Sequence, residues 1–200
     1  EKQAKYIYLS NTFGSDNYSK LIQKMGFTLD TKTFIGLIKK LVNQLCLLEK
    51  QNFYHLDINL NNIIIKDNEP YLIDFGTLTN KNSNNLDREY YGSWGYVPPE
   101  YFKNRELIMS KFDVFAIGIM LFQKICGFNP FNMSKYYNLK CWYWCDNHLC
   151  ENREKCLSDY LKNNCHNDFK FIIPIILKCL KFNPEERINL NELVELFNKN

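Results

Sequence analysis

The stretch "YHLDINLNNIIIKDNEPYLIDFG", from Tyr54 to Gly76, decides how the sequence is interpreted. Asp57 is followed five residues later by Asn62, and Asp74 comes twelve residues after that, with two short apolar segments between them. "NIIIK" and "PYLID" have the length and composition of short strands, and Asp67-Asn68 between them favours a tight turn. Two turns flanking a β-hairpin would account for this pattern. A site in which the hairpin holds oxygen ligands at a fixed separation would account for it equally well.

The second interpretation has a specific chemistry. Transfer of a phosphoryl group requires a group that orients the attacking hydroxyl or accepts its proton, and oxygen ligands for Mg²⁺ ions that bridge the phosphates. Asp57 could take the first role, while Asn62 and Asp74 could each ligate a metal ion. A small number of hard oxygen donors suits Mg²⁺, which keeps waters and phosphate oxygens as its other ligands.

Composition limits the classes of protein to be considered. The chain has 200 residues, of which 46% are hydrophobic, enough for one large domain with a core or at most two small ones. Its net charge of +3 comes without a basic block, so nucleic-acid binding is not indicated. No apolar run reaches the roughly 18 residues that would span a bilayer. Because the chain begins with Glu1 and has no signal-type segment, we expect a piece of a longer protein.

The eight cysteines do not indicate a disulfide framework, because a chain of this size and core content needs no covalent staples. A reducing, cytoplasmic (intracellular) location is therefore expected. Five cysteines and two histidines cluster in one region: Cys141, Cys145, Cys150, Cys156, Cys165, His148 and His166. The cysteines lack the Cys-x-x-Cys spacing of most zinc sites. A Cys-rich insertion over residues 132–167 is therefore favoured over a metal site.

The apolar pattern predicts a mainly α domain. Helical periodicity runs from Thr33 to Gln51, with Asp30 or Thr31 as the cap. Ser110 is expected to cap the helix containing "DVFAIGIMLFQKI", which is apolar on every face and should lie at the domain centre. "FKFIIPIILKCL" and "NLNELVELFNK" predict two further helices. The polar stretch Thr77–Arg88 predicts a loop, and no linker divides the chain.

Five motifs in order resemble those of a eukaryotic-type protein kinase. "HLDINLNN" (55–62) is similar to the family's His-Arg-Asp-x-Lys-x-x-Asn loop, and "DFG" (74–76) to its metal-binding turn. "GSWGYVPPE" (92–100) resembles the segment that closes the activation loop. "KFDVFAIGIML" (111–121) resembles the central helix, and "NPEERINLNEL" (183–193) the family's C-terminal Asp-Pro-x-x-Arg motif. Any one match is weak, but all five in order are specific.

The resemblance implies a fold, a function and partners. Residues 1–200 would form the large C-terminal lobe, mainly helical, with a short β-hairpin carrying the catalytic and metal-binding loops. "KYIYLS" and its neighbours, residues 1–13, would be the last small-lobe strand and the hinge. The implied cofactors are ATP and Mg²⁺. The implied partners are a protein substrate and the protein's own N-terminal kinase lobe, without which this part alone would be inactive.

The resemblance also assigns roles to individual residues. The catalytic positions are Asp57 and Asn59, the metal ligands are Asn62 and Asp74, and the nucleotide contacts are Leu9, Ser10, Asn11, Thr12 and Ile64. The supporting residues are His55, Phe75, Ser93, Glu100, Asp113 and Arg187. Among these, Asp113 is expected to bond to the backbone of the catalytic loop, and Arg187 to pair with a buried Glu100. A hydroxyl at Ser93 indicates transfer to Ser or Thr.

Two departures from the family pattern affect function. Leu56 replaces the Arg that normally receives an activation-loop phosphate, so activation by phosphorylation there is not expected. An apolar Leu beside Asp57 is expected to face a charge. Asn59 replaces the Lys that steadies the transferred phosphate, and an amide brings no positive charge to the transition state.

Two alternative functions remain open. A pseudokinase, which keeps the fold as a scaffold without turnover, is motivated by Leu56 and Asn59, although Asp57, Asn62 and Asp74 are all retained. A small-molecule kinase of the choline or aminoglycoside type would share the Asp-x-x-x-x-Asn loop followed by Asp-Phe. That class lacks the Pro-Pro-Glu segment and its Arg partner, both present here, so it is less favoured.

Overall fold

A computed structural model describes residues 29–82, 91–104, 108–129 and 153–199. The predicted strand and hinge within residues 1–13 lie outside the described residues, as do residues 132–152 of the Cys-rich stretch. In the described part of the chain, no helix is long and apolar enough to cross a membrane.

The domain is mostly helical, with two small antiparallel sheets, in agreement with the mainly α prediction. The α-helices of the described residues are α1 (Thr31–Lys50), α2 (Pro99–Asn104), α3 (Met109–Cys126), α4 (Arg153–Asn164), α5 (Ile173–Cys179) and α6 (Leu190–Lys199). The strands are β1 (Phe53–Tyr54), β2 (Ile63–Lys66), β3 (Glu69–Leu72) and β4 (Thr79–Asn80). Short 3₁₀ helices cover Leu60–Asn62, Phe75–Thr77 and Asn167–Ile172.

Helix α1 begins at a side-chain cap. The carboxylate of Asp30 accepts a hydrogen bond of 2.9 Å from the backbone N–H of Thr33, so Asp30 is the cap of the two that were expected. The apolar face of the helix packs on α3, α6 and β3. Its buried residues are Phe34, Ile35, Leu37, Ile38, Leu41, Val42, Leu45 and Cys46. The predicted helix is confirmed.

Helix α3 lies at the centre of the domain, as predicted. Every residue from Phe112 to Phe122 is buried. Gly118 allows close packing on α5, because a Cβ at this position would lie only 2.7 Å from Cβ of Cys179. The expected cap was wrong: Ser110 lies inside the first turn. The N-cap position is Ile108, whose carbonyl accepts from the backbone N–H of both residues 111 and 112 and which has no side-chain cap bond.

Strands β2 and β3 form the predicted hairpin, with Ile63 opposite Leu72. Asp67 and Asn68 form the two-residue turn with φ values of 53° and 60°. Both residue types tolerate this left-handed conformation, which two-residue hairpin turns of this hand require. Lys40 of α1 contacts the turn, with Nζ 2.7 Å from the carbonyl oxygen of Asn68. Helix α1 therefore holds the hairpin against the domain.

Strands β1 and β4 form a second antiparallel pair that was not predicted. Phe53 pairs with Asn80, and Tyr54 with Thr79. Each strand has only two residues, and the second lies within the polar stretch that predicted a loop. Sequence patterns give no signal at this length, because the pairing depends on the approach of two distant loops.

The C-terminal region differs in detail from the prediction. The segment expected to form one helix is divided into the 3₁₀ helix Asn167–Ile172 and α5. Pro174 lies in the first turn of α5, where its missing N–H would have no intrahelical partner in any case. Helix α6 begins at a reciprocal cap: Asn189 accepts from the N–H of Glu192, and Glu192 accepts from the N–H of Asn189.

Helix α4 belongs to the core although the sequence assigned it to the Cys-rich stretch. Leu157 and Leu161 are almost fully buried in the main hydrophobic cluster. The ring of Tyr160 stacks on Phe122 of α3, with the ring centroids 6.2 Å apart. Residues 153–164 are therefore part of the packed domain. Residues 132–152 lie outside the described residues.

A buried ion pair joins α2 to the segment that precedes α6. The guanidinium of Arg187, 1% exposed, contacts both carboxylate oxygens of Glu100 at 2.7 and 2.9 Å. Its remaining N–H groups donate to the carbonyl oxygens of Lys181 and Lys111, and it lies 4.9 Å from the ring centroid of Phe115. All five donors of Arg187 are thus used, and the predicted pairing is present.

Removal of one partner of the buried pair should destabilise the domain strongly. In the full-length protein, Glu100→Gln leaves the Arg187 charge uncompensated in the core, which typically costs about 3–5 kcal/mol of the free energy of unfolding. Urea unfolding checks this. The control is Glu69→Gln, which breaks the exposed pair with Lys40 and should cost less than about 1 kcal/mol. Equal losses in the two variants would contradict the expectation.

Candidate active site

The loop after β1 and the loop after β3 are joined side by side. The N–H of Ile73 donates to the carbonyl oxygen of Asn62 at 2.9 Å, and Nε2 of His55 lies 3.2 Å from the carbonyl oxygen of Ile73. The hydroxyl of Thr77 donates to the carbonyl oxygen of His55 at 2.7 Å. These bonds bring the predicted catalytic and metal-binding residues onto one rigid unit.

Asp57 is partly exposed, and two amides fix its carboxylate. Nδ2 of Asn59 donates to Oδ1 at 3.0 Å, and Nδ2 of Asn62 donates to Oδ2 at 2.8 Å. Asn62 also donates to the carbonyl oxygen of Asp57 at 2.8 Å. The amide hydrogens of Asn62 are thus directed to Asp57. The Oδ1 atom of Asn62 is therefore the one that could bind a metal ion.

Asp74 is exposed and has a left-handed backbone with φ of 59°. Its carboxylate accepts from the N–H of Gly76 at 3.1 Å and caps the 3₁₀ helix Phe75–Thr77. A Cβ at position 76 would lie 2.9 Å from Oδ1 of Asp74. A side chain at position 76 would therefore displace the Asp74 carboxylate from its present position.

Asp113 of α3 binds the backbone of the loop after β1. Its carboxylate accepts from the N–H of His55 at 3.0 Å and from the N–H of Leu56 at 2.8 Å, as the resemblance implied. Burial raises the pKa of Asp113 to about 7, although the two N–H donors act to lower it. Leu56 has φ of 61°, a rare conformation for a bulky residue. Asp113 stabilises the loop in this conformation.

His55 links the two loops through its ring. Nδ1 accepts from the N–H of Asp57 at 3.3 Å, which leaves Nε2 to donate to the carbonyl oxygen of Ile73. Burial holds the pKa of His55 below its ordinary value, in keeping with a neutral ring. The ring of Phe75 lies 5.5 Å away, between centroids. The structure thus brings these two predicted supporting residues into contact.

Ser93 connects the segment before α2 to the loop after β1. Its Oγ accepts from Nδ2 of Asn59 at 3.1 Å. Three residues later, the hydroxyl of Tyr96 donates to Oε1 of Gln123 on α3 at 2.6 Å, and burial raises the pKa of Tyr96 to about 12. The segment that carries Ser93 is thus anchored to the central helix.

The side chain of Leu56 is fully buried in an apolar cluster. The expectation that it faces a charge was wrong, because the left-handed backbone turns the side chain toward other apolar groups. The cluster is formed with Tyr54, Tyr91, Val97, Tyr101 and Phe112. Within it, the N–H of Tyr91 donates to the hydroxyl oxygen of Tyr101 at 3.2 Å.

Of the predicted nucleotide contacts, the structure describes only Ile64. Leu9, Ser10, Asn11 and Thr12 lie outside the described residues. Ile64 lies on β2 and is 4% exposed, buried with Ile73 in a small cluster separate from the main core. Its role toward a nucleotide stays a prediction.

Two residues of the site were missed from the sequence. Thr77, whose hydroxyl joins the two loops, had no signal beyond its place after the "DFG" turn. Tyr96, which anchors the Ser93 segment, lay within a quoted motif but had no role assigned to it. Both depend on a partner far away in the sequence, which spacing alone does not reveal.

The oxygen donors of Asn62 and Asp74 suit a Mg²⁺ ion that also binds waters and phosphate oxygens. They are too few to surround a metal ion completely. Asn62 and Asp74 offer one amide and one carboxylate group on adjoining loops. Over the described ranges, no group of three or more His, Cys, Asp or Glu side chains could hold a metal ion. Mg²⁺ commonly takes one or two protein ligands together with phosphate oxygens and waters. Cys141, Cys145 and Cys150 lie outside the described residues, and Cys165 is a buried free thiol.

Comparison with known proteins gives matches over most of the chain. Residues 1–196 match the family model described as the protein kinase domain. The maternal embryonic leucine zipper kinase of Danio rerio is 30% identical over 132 residues, covering 64% of this chain and 19% of that protein. Serine/threonine-protein kinase ppk25 of Schizosaccharomyces pombe is 30% identical over 106 residues, 52% of this chain and 25% of that protein. Calcium-dependent protein kinase 5 of Plasmodium berghei is 22% identical over 200 residues, which cover 94% of this chain and 32% of that protein.

The chain thus spans between about a fifth and a third of the length of these relatives. The family match, by contrast, covers nearly all of its residues and includes both loops of the site described above. The chain belongs to the protein kinase domain family.

Proposed function

We propose that the chain is the large, C-terminal lobe of a protein kinase that transfers the γ-phosphoryl group of ATP to Ser or Thr of protein substrates. The observation that carries the proposal is the Asp57 carboxylate, held by the amides of Asn59 and Asn62 on a loop bonded to the one that presents Asp74. Its N-terminal kinase lobe would cover the nucleotide.

Each residue has a role in this proposal. Asp57 orients the substrate hydroxyl and accepts its proton on a carboxylate oxygen as the oxygen attacks phosphorus. Asn62 and Asp74 would hold Mg²⁺, which neutralises charge on the phosphates when bound. Leu9, Ser10, Asn11, Thr12 and Ile64 are proposed to contact the nucleotide. Asp113 holds the backbone of the first loop, His55 bonds to the second loop at Ile73, and Phe75 packs against the His55 ring.

A second candidate is a pseudokinase scaffold. It is favoured by one observation: Asn59 replaces a cation and directs its amide hydrogens to Asp57 and Ser93. A site without that cation stabilises phosphate charge less well. The retained Asp57, Asn62 and Asp74 support the active kinase more strongly. The Glu100–Arg187 pair further separates the chain from small-molecule kinases of the choline or aminoglycoside type.

The role of Asp57 is tested in the full-length protein by Asp57→Asn. We expect kcat for phosphotransfer to fall by about 100-fold or more, because the amide cannot accept the proton, while ATP affinity changes little. Phosphate incorporation and titration with a fluorescent ATP analogue measure the two quantities. Asp67→Asn is the matched control, since Asp67 lies in the exposed hairpin turn and Asn tolerates its positive φ. Turnover unaffected by Asp57→Asn would exclude the proposal.

The acceptor is expected to be Ser or Thr. The hydroxyl of Ser93 reaches Asp57 through Asn59, which keeps this segment close to the catalytic carboxylate. A close segment favours a short acceptor side chain over the longer Tyr. Phosphoamino-acid analysis of phosphorylated protein substrates should yield phosphoserine and phosphothreonine; a predominance of phosphotyrosine would contradict this expectation.

Activity is expected without phosphorylation of the segment between Asp74 and Glu100. The Leu56 side chain is buried and apolar, so it cannot receive a phosphate. Within this segment the hydroxyls of Thr77 and Thr79 donate to backbone carbonyls, and Tyr91 is 4% exposed. Ser83 and Tyr90 lie outside the described residues.

Phosphatase treatment of the full-length protein, and the variant Ser83→Ala/Tyr90→Phe, test this expectation. Each should retain turnover within about tenfold, corresponding to about 1.4 kcal/mol in the barrier. A larger loss in both would indicate that a phosphate is required and is received by a cation other than the missing Arg.

A further inference from the structure

Asn59 occupies the position where the family resemblance implies a phosphate-binding Lys. It is 2% exposed and begins the 3₁₀ helix Leu60–Asn62 as its cap. A side chain that reached a transferred phosphate would need a donor directed away from the loop. The question is whether Asn59 has one.

The hydrogen-bonding capacity of Asn59 is used within the protein. A primary amide has two N–H donors and one carbonyl acceptor. Nδ2 lies 3.0 Å from Oδ1 of Asp57, 3.1 Å from Oγ of Ser93 and 3.3 Å from the carbonyl oxygen of Asp57. Oδ1 accepts from the N–H of Asn61 at 2.8 Å. Both donors are therefore engaged, and none is directed to a phosphate.

We infer that Asn59 is a positioning residue that links the Asp57 carboxylate to Ser93, and that it does not bind the transferred phosphate. The inference rests on the proposed kinase function for its kinetic consequences. Asn62 holds one oxygen of Asp57 and Asn59 holds the other. Loss of the second bond frees the carboxylate to rotate about its remaining contact.

Through this link the position of the Ser93 segment affects the orientation of the Asp57 carboxylate. Tyr96 fastens this segment to Gln123 of α3, and Ser93 receives the Asn59 amide. The orientation of Asp57 thus depends on a segment that begins more than thirty residues later in the chain. A neutral amide makes this link without adding a charge next to the carboxylate.

The kinetic test uses Asn59→Ala, Ser93→Ala and the double variant of the full-length protein. Asn59→Ala should lower kcat by about tenfold or more while KM for ATP stays within about twofold, because no phosphate contact is lost. The double variant should be no slower than Asn59→Ala within about twofold, because both substitutions break the same link. Asn61→Ala, which removes an exposed side chain from the same loop, is the control and should keep wild-type kcat.

Three kinetic outcomes would overturn the inference: unchanged kcat in Asn59→Ala, a rise of about tenfold in KM for ATP, or losses that multiply in the double variant. If Asn59→Ala fails to fold, Asn59→Ser replaces it, because serine keeps an oxygen for the N–H of Asn61.

A second measurement separates this inference from the proposed function. In ¹⁵N-labelled protein without nucleotide, Ser93→Ala should shift the side-chain amide signals of Asn59, whereas Ser110→Ala on α3 should not. An unshifted Asn59 signal would overturn the link. If the wild-type protein showed no phosphotransfer, the proposed function would fail, while a shifted signal would still establish the link.

Discussion

The loop after β1, which carries the proposed catalytic residue Asp57, depends on one buried carboxylate. Asp113 lies within a stretch of α3 in which every residue from Phe112 to Phe122 is buried, where an uncompensated charge would be costly. The N–H groups of His55 and Leu56 supply the compensation, and they hold Leu56 in a left-handed conformation that costs of order 1–3 kcal/mol. The same two hydrogen bonds therefore compensate the buried carboxylate and fix the backbone conformation of the loop. Neither could be changed without the other.

From that loop, a chain of polar contacts extends in two directions. Through His55 and Thr77 it reaches the turn that presents Asp74. Through Asn59 it reaches Ser93 and the segment leading into α2. Asp57 is held by Asn59 and Asn62 on a loop that Asp113 of α3 binds in turn, so the proposed catalytic carboxylate is preorganised before any substrate arrives. The apolar cluster around Leu56 also holds Tyr91 and Val97, which flank Ser93 in the chain, and it does so without a charged group.

The sequence predicted the parts of this arrangement that are encoded locally. Apolar periodicity indicated α1 and α3, and the spacing of Asp57, Asn62 and Asp74 indicated the loops around the hairpin. Prediction from the sequence failed where the local structure depends on a residue far away in the chain. The pairing of β1 with β4 and the engagement of Asn59 by Ser93 arise only when separate segments meet, and the cap of α3 is a backbone carbonyl of Ile108. The burial of Leu56 follows from a positive φ that residue type disfavours.

The Glu100–Arg187 pair also bears on the order in which the protein acquires its structure. The two residues are separated by 87 positions, and Arg187 draws its other contacts from residues 111 and 181. At synthesis rates of 5–20 residues per second, Glu100 waits roughly 4–17 seconds for its partner. The Glu100–Arg187 contact therefore forms later than the contacts that join Ser93 and Tyr96 to Asn59 and Gln123, whose partners lie earlier in the chain than Arg187.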